Sequence, residues 1–434
     1  MTTIITPASI EQRLLWYMEH YRGAGGVLNC PVIIRADGPL DRSALTRALD
    51  RLVQQHESLH TTFEDRGRNL KRVIHAPRPV DIADVDLQAT ADPESAAQEA
   101  IASDLRTPID VTVWPMRVTL WRLADEAHIL CVNMHHLAAD GWSCGLIFND
   151  IRVFYECECG QRGDAPADLP KVQWQYSDYV RWQQELMATD ELAVHRDYWR
   201  EQLLDARLPP LPLRPAESAP RLAAQESVTI DAEVGGAIRR MARERRTTMF
   251  NVMLSLYYTG IYRLTGATDV AVTSLFANRL RPELGGTVGA FSNMLILRTQ
   301  LPPRATFGDV LREAHATVLG AFMHQAVPFQ ALPGVALRSD SFRADDMVFH
   351  MTADRLADTR MGALGVRALQ VEGVGNRFAL EVVVLPKGDA LTVVVSYNER
   401  RIDRAWIARF VKQYAALAAG VAERPHARLD ALAN

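Results

Sequence analysis

Hydrophobic positions along the first third of the chain alternate between a two-residue period and a helical period. The apolar run at 32–34 predicts a strand, and 41–59 then carries leucines at helical spacing behind Asp41, a residue suited to cap a helix. The same reasoning predicts a helix over 92–105, strands over 116–121 and 128–134, and a helix over 141–155. This alternation is typical of a mixed α/β fold.

The second half of the chain repeats the pattern after a stretch rich in Gly, Pro, Asp and Ala at 160–171, which marks a boundary. It predicts helices over 177–203, 247–264, 306–324 and 403–418, and strands over 227–230, 269–275, 295–300, 382–385 and 391–397. The composition of 386–389 predicts a turn between the last two strands. We therefore predict two α/β lobes, residues 1–170 and 171–434, with a ligand site in a crevice between them.

Composition and charge exclude several classes of partner. The chain has 48 Lys and Arg against 52 Asp and Glu, a formal net charge of −4, so neither nucleic acid nor an anionic membrane is a predicted partner. The longest apolar stretch, 250–262, is interrupted by polar residues and is too short to span a bilayer. No basic residue precedes Arg13, so no signal peptide is predicted. We expect a cytoplasmic protein.

The cysteines do not indicate a disulfide framework or a metal site. There are five of them, an odd and sparse set that suits a reducing compartment. Cys157 and Cys159 lie one residue apart without a second Cys or His pair nearby, whereas structural zinc takes paired ligand clusters. We therefore predict no bound metal.

The most informative segment is His135-His136-x-x-x-Asp140-Gly141, which follows a predicted strand and opens a predicted helix. Side chains alternate along a strand, so Met134 and His136 share one face while His135 points to the other. Because adjacent histidines cannot then enter one site, the pair is a poor metal chelate. The spacing favours one working histidine and one packed, hydrogen-bonded histidine.

The residues after the histidines add two further possibilities. Asp140 either caps the helix or ties its charge to a basic residue and braces the loop that aims the histidine. The positive end of the helix dipole can stabilise a developing oxyanion and keep a nearby imidazole neutral, as a base requires. The chain has no Gly-x-Ser-x-Gly elbow and no cysteine in an evident histidine context. Direct transfer of an activated acyl group therefore fits better than a covalent acyl-enzyme.

With these residues in view, the chain resembles condensation domains of nonribosomal peptide synthetases, which belong to the chloramphenicol-acetyltransferase-like acyltransferases. Seven segments resemble the family's motifs in order: 9–16, 56–63, 135–143, 176–182, 288–293, 324–330 and 397–403. The chain departs from those motifs at Glu11, Leu14, His60, Ala326 and Gln330, where the family has Ala, Arg, Arg, Asp and Glu. These departures favour a specialised member.

The resemblance implies a role for each candidate catalytic residue. His136 would be the active-site histidine, as general base on the acceptor or as a positioning hydrogen-bond partner, and His135 would orient the loop from the far face. Asp140 would pair with Arg279, and Gly141 would let substrate approach the backbone closely. Further expectations are support of the site by Trp142 and Ser143 and a substrate channel near Ser292 and Asn293.

The resemblance also implies the fold and the reaction. It predicts two chloramphenicol-acetyltransferase-like lobes, each a mixed sheet flanked by helices, arranged as a V with a central tunnel. It implies transfer of an acyl or aminoacyl group from a carrier-protein phosphopantetheinyl thioester to an amine or hydroxyl acceptor, which is a small molecule or is bound to a second carrier protein. No cofactor would be bound, because the 4′-phosphopantetheine arm arrives in trans at a free-standing enzyme.

Related activities remain as alternatives. Epimerisation, heterocyclisation and plant-type acyltransferase domains each need a segment that this chain lacks: Glu-Gly-His-Gly-Arg, Asp-x-x-x-x-Asp in place of the His-His motif, and Asp-Phe-Gly-Trp-Gly. Polyketide-associated or CoA-dependent O-acyltransferases keep the His-His motif and are the main alternative. A non-catalytic platform that docks carrier proteins or tailoring enzymes is a third, against which the complete set of candidate residues argues.

Overall fold

The structure, a computed structural model, describes residues 3–22, 27–67, 69–162, 171–206, 208–212, 214, 223–302, 304–332, 343, 346–352, 359–369 and 378–432. Its helices are α1 (Ile10–Arg22), α2 (Arg42–Gln55), α3 (Pro93–Arg106), α4 (Gly141–Glu158), α5 (Tyr176–Met187), α6 (Ala193–Gln202), α7 (Ala232–Glu244), α8 (Met249–Thr265), α9 (Phe307–Met323) and α10 (Arg404–Glu423). Its strands are β1 (Ile4–Pro7), β2 (Asn29–Asp37), β3 (Thr61–Asp65), β4 (Leu70–Ile74), β5 (Ile82–Asp86), β6 (Met116–Ala124), β7 (Ala127–His135), β8 (Ala223–Ile230), β9 (Asp269–Phe276), β10 (Asn293–Gln300), β11 (Met347–Met351), β12 (Thr359–Met361), β13 (Leu364–Ala368), β14 (Leu380–Lys387) and β15 (Ala390–Asn398).

Two compact units divide the chain, and their segments alternate along the sequence. The first unit comprises Met1–Asp190, Ala277–Ser292 and Arg355–Gly375, and the second comprises Glu191–Phe276, Asn293–Asp354 and Asn376–Asn434. One boundary at residue 170, the division expected from composition, does not describe this interleaving. The two later segments group with the first unit because β13 pairs with β2 and Arg279 forms an ion pair with Asp140.

In the first unit, six strands form one sheet in the order β12-β13-β2-β7-β6-β5, and β1-β4-β3 form a smaller sheet. The neighbours are antiparallel except β5 and β6, which are parallel. Val132 and Met134 of β7 pack in a core cluster with residues of α2 and α4, whereas Ile129 and Cys131 pack with residues of α3 on the other face. β7, which leads into the His-His motif, is therefore buried on both faces.

In the second unit, six strands form one sheet in the order β10-β9-β11-β14-β15-β8. β11 is parallel to both neighbours and the other pairings are antiparallel. The β14–β15 hairpin turns through Gly388, whose φ of 58° lies in the left-handed region that glycine tolerates best. Helix α8 is buried on every side from Asn251 to Ile261 because it packs among α7, α9 and α10.

The elements agree with the predicted pattern at most positions, and one prediction is wrong. The continuous helix expected over 177–203 is two helices, α5 and α6, separated by the short 3-10 turn Asp190–Leu192. The Thr189 hydroxyl donates to the Leu186 carbonyl and ends α5, and Leu192 is buried at the break. Residues 163–170 of the predicted boundary stretch lie outside the described residues. No helix in the described ranges is both long and apolar enough to cross a bilayer.

Candidate active site

The His-His motif, residues 135–141, occupies the connection from β7 to α4. β7 ends at His135, and the His136 backbone N–H donates to the Leu28 carbonyl at 2.7 Å, so the strand geometry persists for one more residue. The chain then turns, with the Ala138 N–H donating to the His135 carbonyl at 2.8 Å. The two histidines accordingly differ in environment: His135 is buried and His136 is half-buried.

Both ring nitrogens of His135 bind protein groups. Its Nδ1 accepts the Leu137 N–H at 3.1 Å, and its Nε2 lies 3.1 Å from a carboxylate oxygen of Glu19 on α1. An imidazole whose Nδ1 accepts must carry its proton on Nε2, so Nε2 donates to Glu19. With 1% of its surface exposed, His135 holds the motif loop and presents no ring nitrogen to a substrate.

Asp140, the carboxylate of the motif, is the N-cap of α4 and accepts hydrogen bonds on both of its oxygens. Its Oδ1 accepts the Ser143 backbone N–H at 2.9 Å and the Ser143 hydroxyl at 2.7 Å. Its Oδ2 accepts the Phe291 N–H at 3.2 Å and the Ser292 hydroxyl at 3.4 Å. The side chain is 1% exposed. One carboxylate therefore caps the helix and holds a distant segment of the first unit.

Arg279 supplies the positive charge beside Asp140. Its Nη2 lies 3.3 Å from Asp140 Oδ1 and donates to the Thr287 carbonyl at 3.2 Å. The guanidinium carbon lies 3.6 Å from the centre of the Phe291 ring, a cation–π contact in a site where the arginine side chain is 7% exposed. Both functions weighed for Asp140, cap and charge partner, are thus present in the same side chain.

The first turn of α4 has further contacts with the segment 285–289. The Trp142 indole N–H donates to the Gly285 carbonyl at 3.2 Å, and the Gly289 N–H donates to the Ser143 hydroxyl at 3.1 Å. Gly141 is different, because no atom outside its chain neighbours and the backbone of its own helix lies within 4 Å of the position that a Cβ would take there. The protein itself therefore does not require a glycine at that position.

Several residues that hold the loop were not among the sequence candidates. Gln12 of α1 donates from Nε2 to the Leu137 carbonyl at 2.9 Å, and Glu19 binds His135. Tyr176 of α5 donates to the Ala290 carbonyl at 2.8 Å. Gln12 and Tyr176 lie in segments that resemble family motifs, and that resemblance could have marked them as site residues. Glu19 lies outside those segments, and no sequence pattern marks it.

The two residues expected near a substrate channel have different surroundings. Ser292 is half-buried, and its hydroxyl faces Asp140. Asn293 is 3% exposed, and its side-chain amide hydrogen-bonds to backbone groups. Its Nδ2 donates to the Gln325 and Val327 carbonyls at 2.9 Å, and its Oδ1 accepts the Phe329 N–H. Asn293 therefore holds the segment 325–329 in place. The channel role stays a prediction for both residues.

Glu11, one of the departures from the family motif, is a buried carboxylate. Gln183 of α5 donates from Nε2 to both of its oxygens at 2.9 Å. Burial raises the pKa of Glu11 above its usual value, against the hydrogen bonds from Gln183 and Tyr179, which lower it. In the described part of the chain, no group of three or more His, Cys, Asp or Glu side chains could hold a metal ion.

Comparison with known proteins identifies the family of the chain. The sequence profile of the family described as "Condensation domain" matches residues 3–433. The chain is 30% identical to chondramide synthase cmdD of Chondromyces crocatus over 98% of its own length and 11% of that relative. The chain thus spans a small part of that curated relative.

Solved structures share the fold. The first condensation domain of the calcium-dependent antibiotic synthetase, with a substrate analogue, superposes with a TM-score of 0.83 at 20% identity and covers 99% of both chains. The X-domain from teicoplanin biosynthesis, in a complex with OxyB, superposes with a TM-score of 0.83 at 22% identity over 98% of this chain and 95% of that one. The two mixed α/β units have the chloramphenicol-acetyltransferase-like fold of these structures. Within that class, the chain belongs to the condensation domain family of nonribosomal peptide synthetases.

Proposed function

We propose that this condensation domain transfers an acyl or aminoacyl group from a phosphopantetheinyl thioester on a carrier protein to an amine, with His136 at the reacting atoms. The observation that carries the proposal is the bracing of the motif loop on both sides of His136. On the N-terminal side of His136, His135 binds Glu19. On the C-terminal side, Asp140 pairs with Arg279. Such bracing serves the precise positioning that catalysis requires.

The reaction balances with one histidine as proton carrier. The neutral amine nitrogen attacks the thioester carbonyl carbon, a C–N bond forms, and the C–S bond breaks. The His136 imidazole accepts the proton that the nitrogen loses and returns it to the departing pantetheine sulfur. The products are an amide and the free thiol of the carrier arm.

A covalent acyl-enzyme on the Ser143 hydroxyl has no support. The Ser143 side chain is fully buried, donates to Asp140 and accepts the Gly289 N–H, so its oxygen is committed within the protein. Direct transfer between the two substrates is consistent with this arrangement. His136 is the half-buried histidine of the pair, which suits contact with a substrate.

An alcohol acceptor giving an ester is the second form of the same reaction. An α-amine has a pKa of about 8, so the neutral nucleophile is accessible without strong catalysis, whereas a hydroxyl depends on a base. Removing the imidazole should therefore lower ester formation more than amide formation. Measuring the loss of both products therefore distinguishes an amine acceptor from an alcohol acceptor.

The test is His136→Ala, with His426→Ala as a matched control, because His426 is an exposed histidine in the second unit. A carrier protein loaded with acyl-pantetheine is mixed with a panel of amines and alcohols, and products are quantified by mass spectrometry. We expect at least a 100-fold loss of turnover for His136→Ala with an unchanged melting temperature, and wild-type turnover for the control.

Other outcomes separate the alternatives. Wild-type turnover in His136→Ala would reject both the base and the positioning role of this residue. Efficient transfer from acyl-CoA but not from the loaded carrier would favour a CoA-dependent acyltransferase. Binding of carrier without transfer to any acceptor would favour a docking platform, the role for which the X-domain complex with OxyB is the precedent.

A further inference from the structure

Two cysteine sulfurs lie in contact beside the motif, and the proposed transfer reaction uses neither of them. Cys30 is the second residue of β2, and Cys144 lies in the first turn of α4. Their Sγ atoms are 3.3 Å apart, although the residues are 114 positions apart in sequence. Both are thiols in this structure, and a disulfide requires the sulfurs to approach to about 2.05 Å.

The elements that carry the two thiols hold them in this position. β2 pairs with β7 in a register that places Cys30 opposite Met134, two residues before His136. The first turn of α4 is capped by Asp140, four residues before Cys144. The pair therefore connects two firmly placed segments beside the motif loop. Closing the disulfide needs the two sulfurs to approach by a little over 1 Å.

The two thiols differ in access to a solution oxidant. Cys144 is half-buried, whereas Cys30 is 7% exposed. Two of the other three thiols form a thiolate less readily than an ordinary cysteine does. Burial raises the pKa of Cys131, which lies on the opposite face of β7, and burial likewise raises the pKa of Cys159, so both are poorer thiolates.

From this geometry we propose that Cys30 and Cys144 are a modification site, a dithiol that a hydroperoxide oxidises to a reversible disulfide linking β2 to the first turn of α4. Cys144 thiolate attacks hydrogen peroxide and becomes a sulfenic acid, releasing hydroxide. The Cys30 thiol then attacks that sulfur and water leaves. Overall, two thiols and one peroxide give one disulfide and two waters, and a dithiol reductant reverses the change.

The link has a physical consequence that does not depend on the proposed transfer reaction. It restrains the unfolded chain across a separation of 114 residues, so the oxidised protein should unfold at a higher temperature. We expect an increase in melting temperature of about 5 °C or more, reversed by dithiothreitol. Because the readouts are thiols and unfolding, their failure is distinguishable from failure of the transfer assay.

The test treats the folded full chain with a small excess of hydrogen peroxide. Denatured, reduced protein should titrate five thiols and the oxidised protein three, and peptide mass mapping should find the Cys30–Cys144 crosslink. Cys144→Ser and Cys30→Ser should each abolish the crosslink and the thermal shift, whereas Cys159→Ser should behave as wild type. Absence of the crosslink in oxidised wild-type protein would overturn the proposal, as would a thermal shift that persists in Cys144→Ser.

Discussion

Replacing Asp140 by Ala tests how much the buried ion pair beside the motif contributes to stability. The substitution removes the acceptor for the Ser143 N–H, a helix cap whose loss costs about 1 kcal/mol. It also leaves the Arg279 charge, on a side chain 7% exposed, without its carboxylate. Breaking a buried pair in this way costs about 3–5 kcal/mol.

The lower end of that range applies here, because Arg279 keeps other partners. Its guanidinium still donates to the Thr287 carbonyl and still lies over the Phe291 ring. We therefore expect Asp140→Ala to lower the free energy of unfolding by about 4 kcal/mol, of which about 3 comes from the ion pair and about 1 from the cap.

Asp41→Ala is the matched control. Asp41 caps α2 in the same unit by accepting the Ala44 N–H at 2.9 Å, and it is exposed and has no ion pair among the described residues. It should cost about 1 kcal/mol. Urea unfolding followed by far-UV circular dichroism measures both, and for an m-value of about 3 kcal/mol/M the midpoints should fall by about 1.3 M and about 0.3 M.

Two results decide whether the reasoning holds. Equal losses for Asp140→Ala and Asp41→Ala would show that the ion pair contributes nothing beyond the cap. If the cost comes from an uncompensated charge, Asp140→Ala combined with Arg279→Met should recover at least about 1 kcal/mol relative to Asp140→Ala alone. A double variant less stable than the single one refutes this explanation.

Further variants test the buried polar groups and the close packing of the first unit. Glu11→Gln keeps a side chain that can accept from Gln183, and it should stabilise the protein increasingly as pH rises. The raised pKa of Glu11 means that the folded protein holds this proton more tightly than the unfolded chain does. Wild-type stability therefore falls as pH rises above about 4.3. Urea unfolding from pH 5 to 8 measures the growing difference in midpoint between Glu11→Gln and wild type. Equal midpoint differences at both ends of the series would contradict this. Gly289→Ala should lower the free energy of unfolding by about 1–3 kcal/mol, because its Cβ would lie 2.0 Å from the Tyr176 ring. Gly141→Ala is its control, and we expect an unchanged melting temperature because the new Cβ meets open space. Equal melting temperatures for both alanine variants would reject the packing argument.

Local pattern was sufficient for most elements of the fold, and short-range contacts explain why. Asp41 and Asp140 each cap a helix through an N–H three residues away, so the signal lies within the local sequence. The alternation along β7 predicts different faces for His135 and His136 for the same reason. The break between α5 and α6 escaped that reasoning because its buried anchor, Leu192, sits in an apolar pattern that a continuous helix also satisfies.

The sequence by itself determined the α/β class and the strand-loop-helix setting of the His-His motif, because periodicity and helix caps are local properties. Its seven ordered motifs carried the resemblance to condensation domains. The resemblance to the family implied the pairing of Arg279 with Asp140, and only the tertiary structure decided which other distant residues complete the site. Glu19 reaches His135 across 116 positions and Arg279 reaches Asp140 across 139, and Cys144 meets Cys30 across 114. These contacts depend on how strands and helices pack, because the local sequence around a single carboxylate, arginine or cysteine does not identify its distant partner.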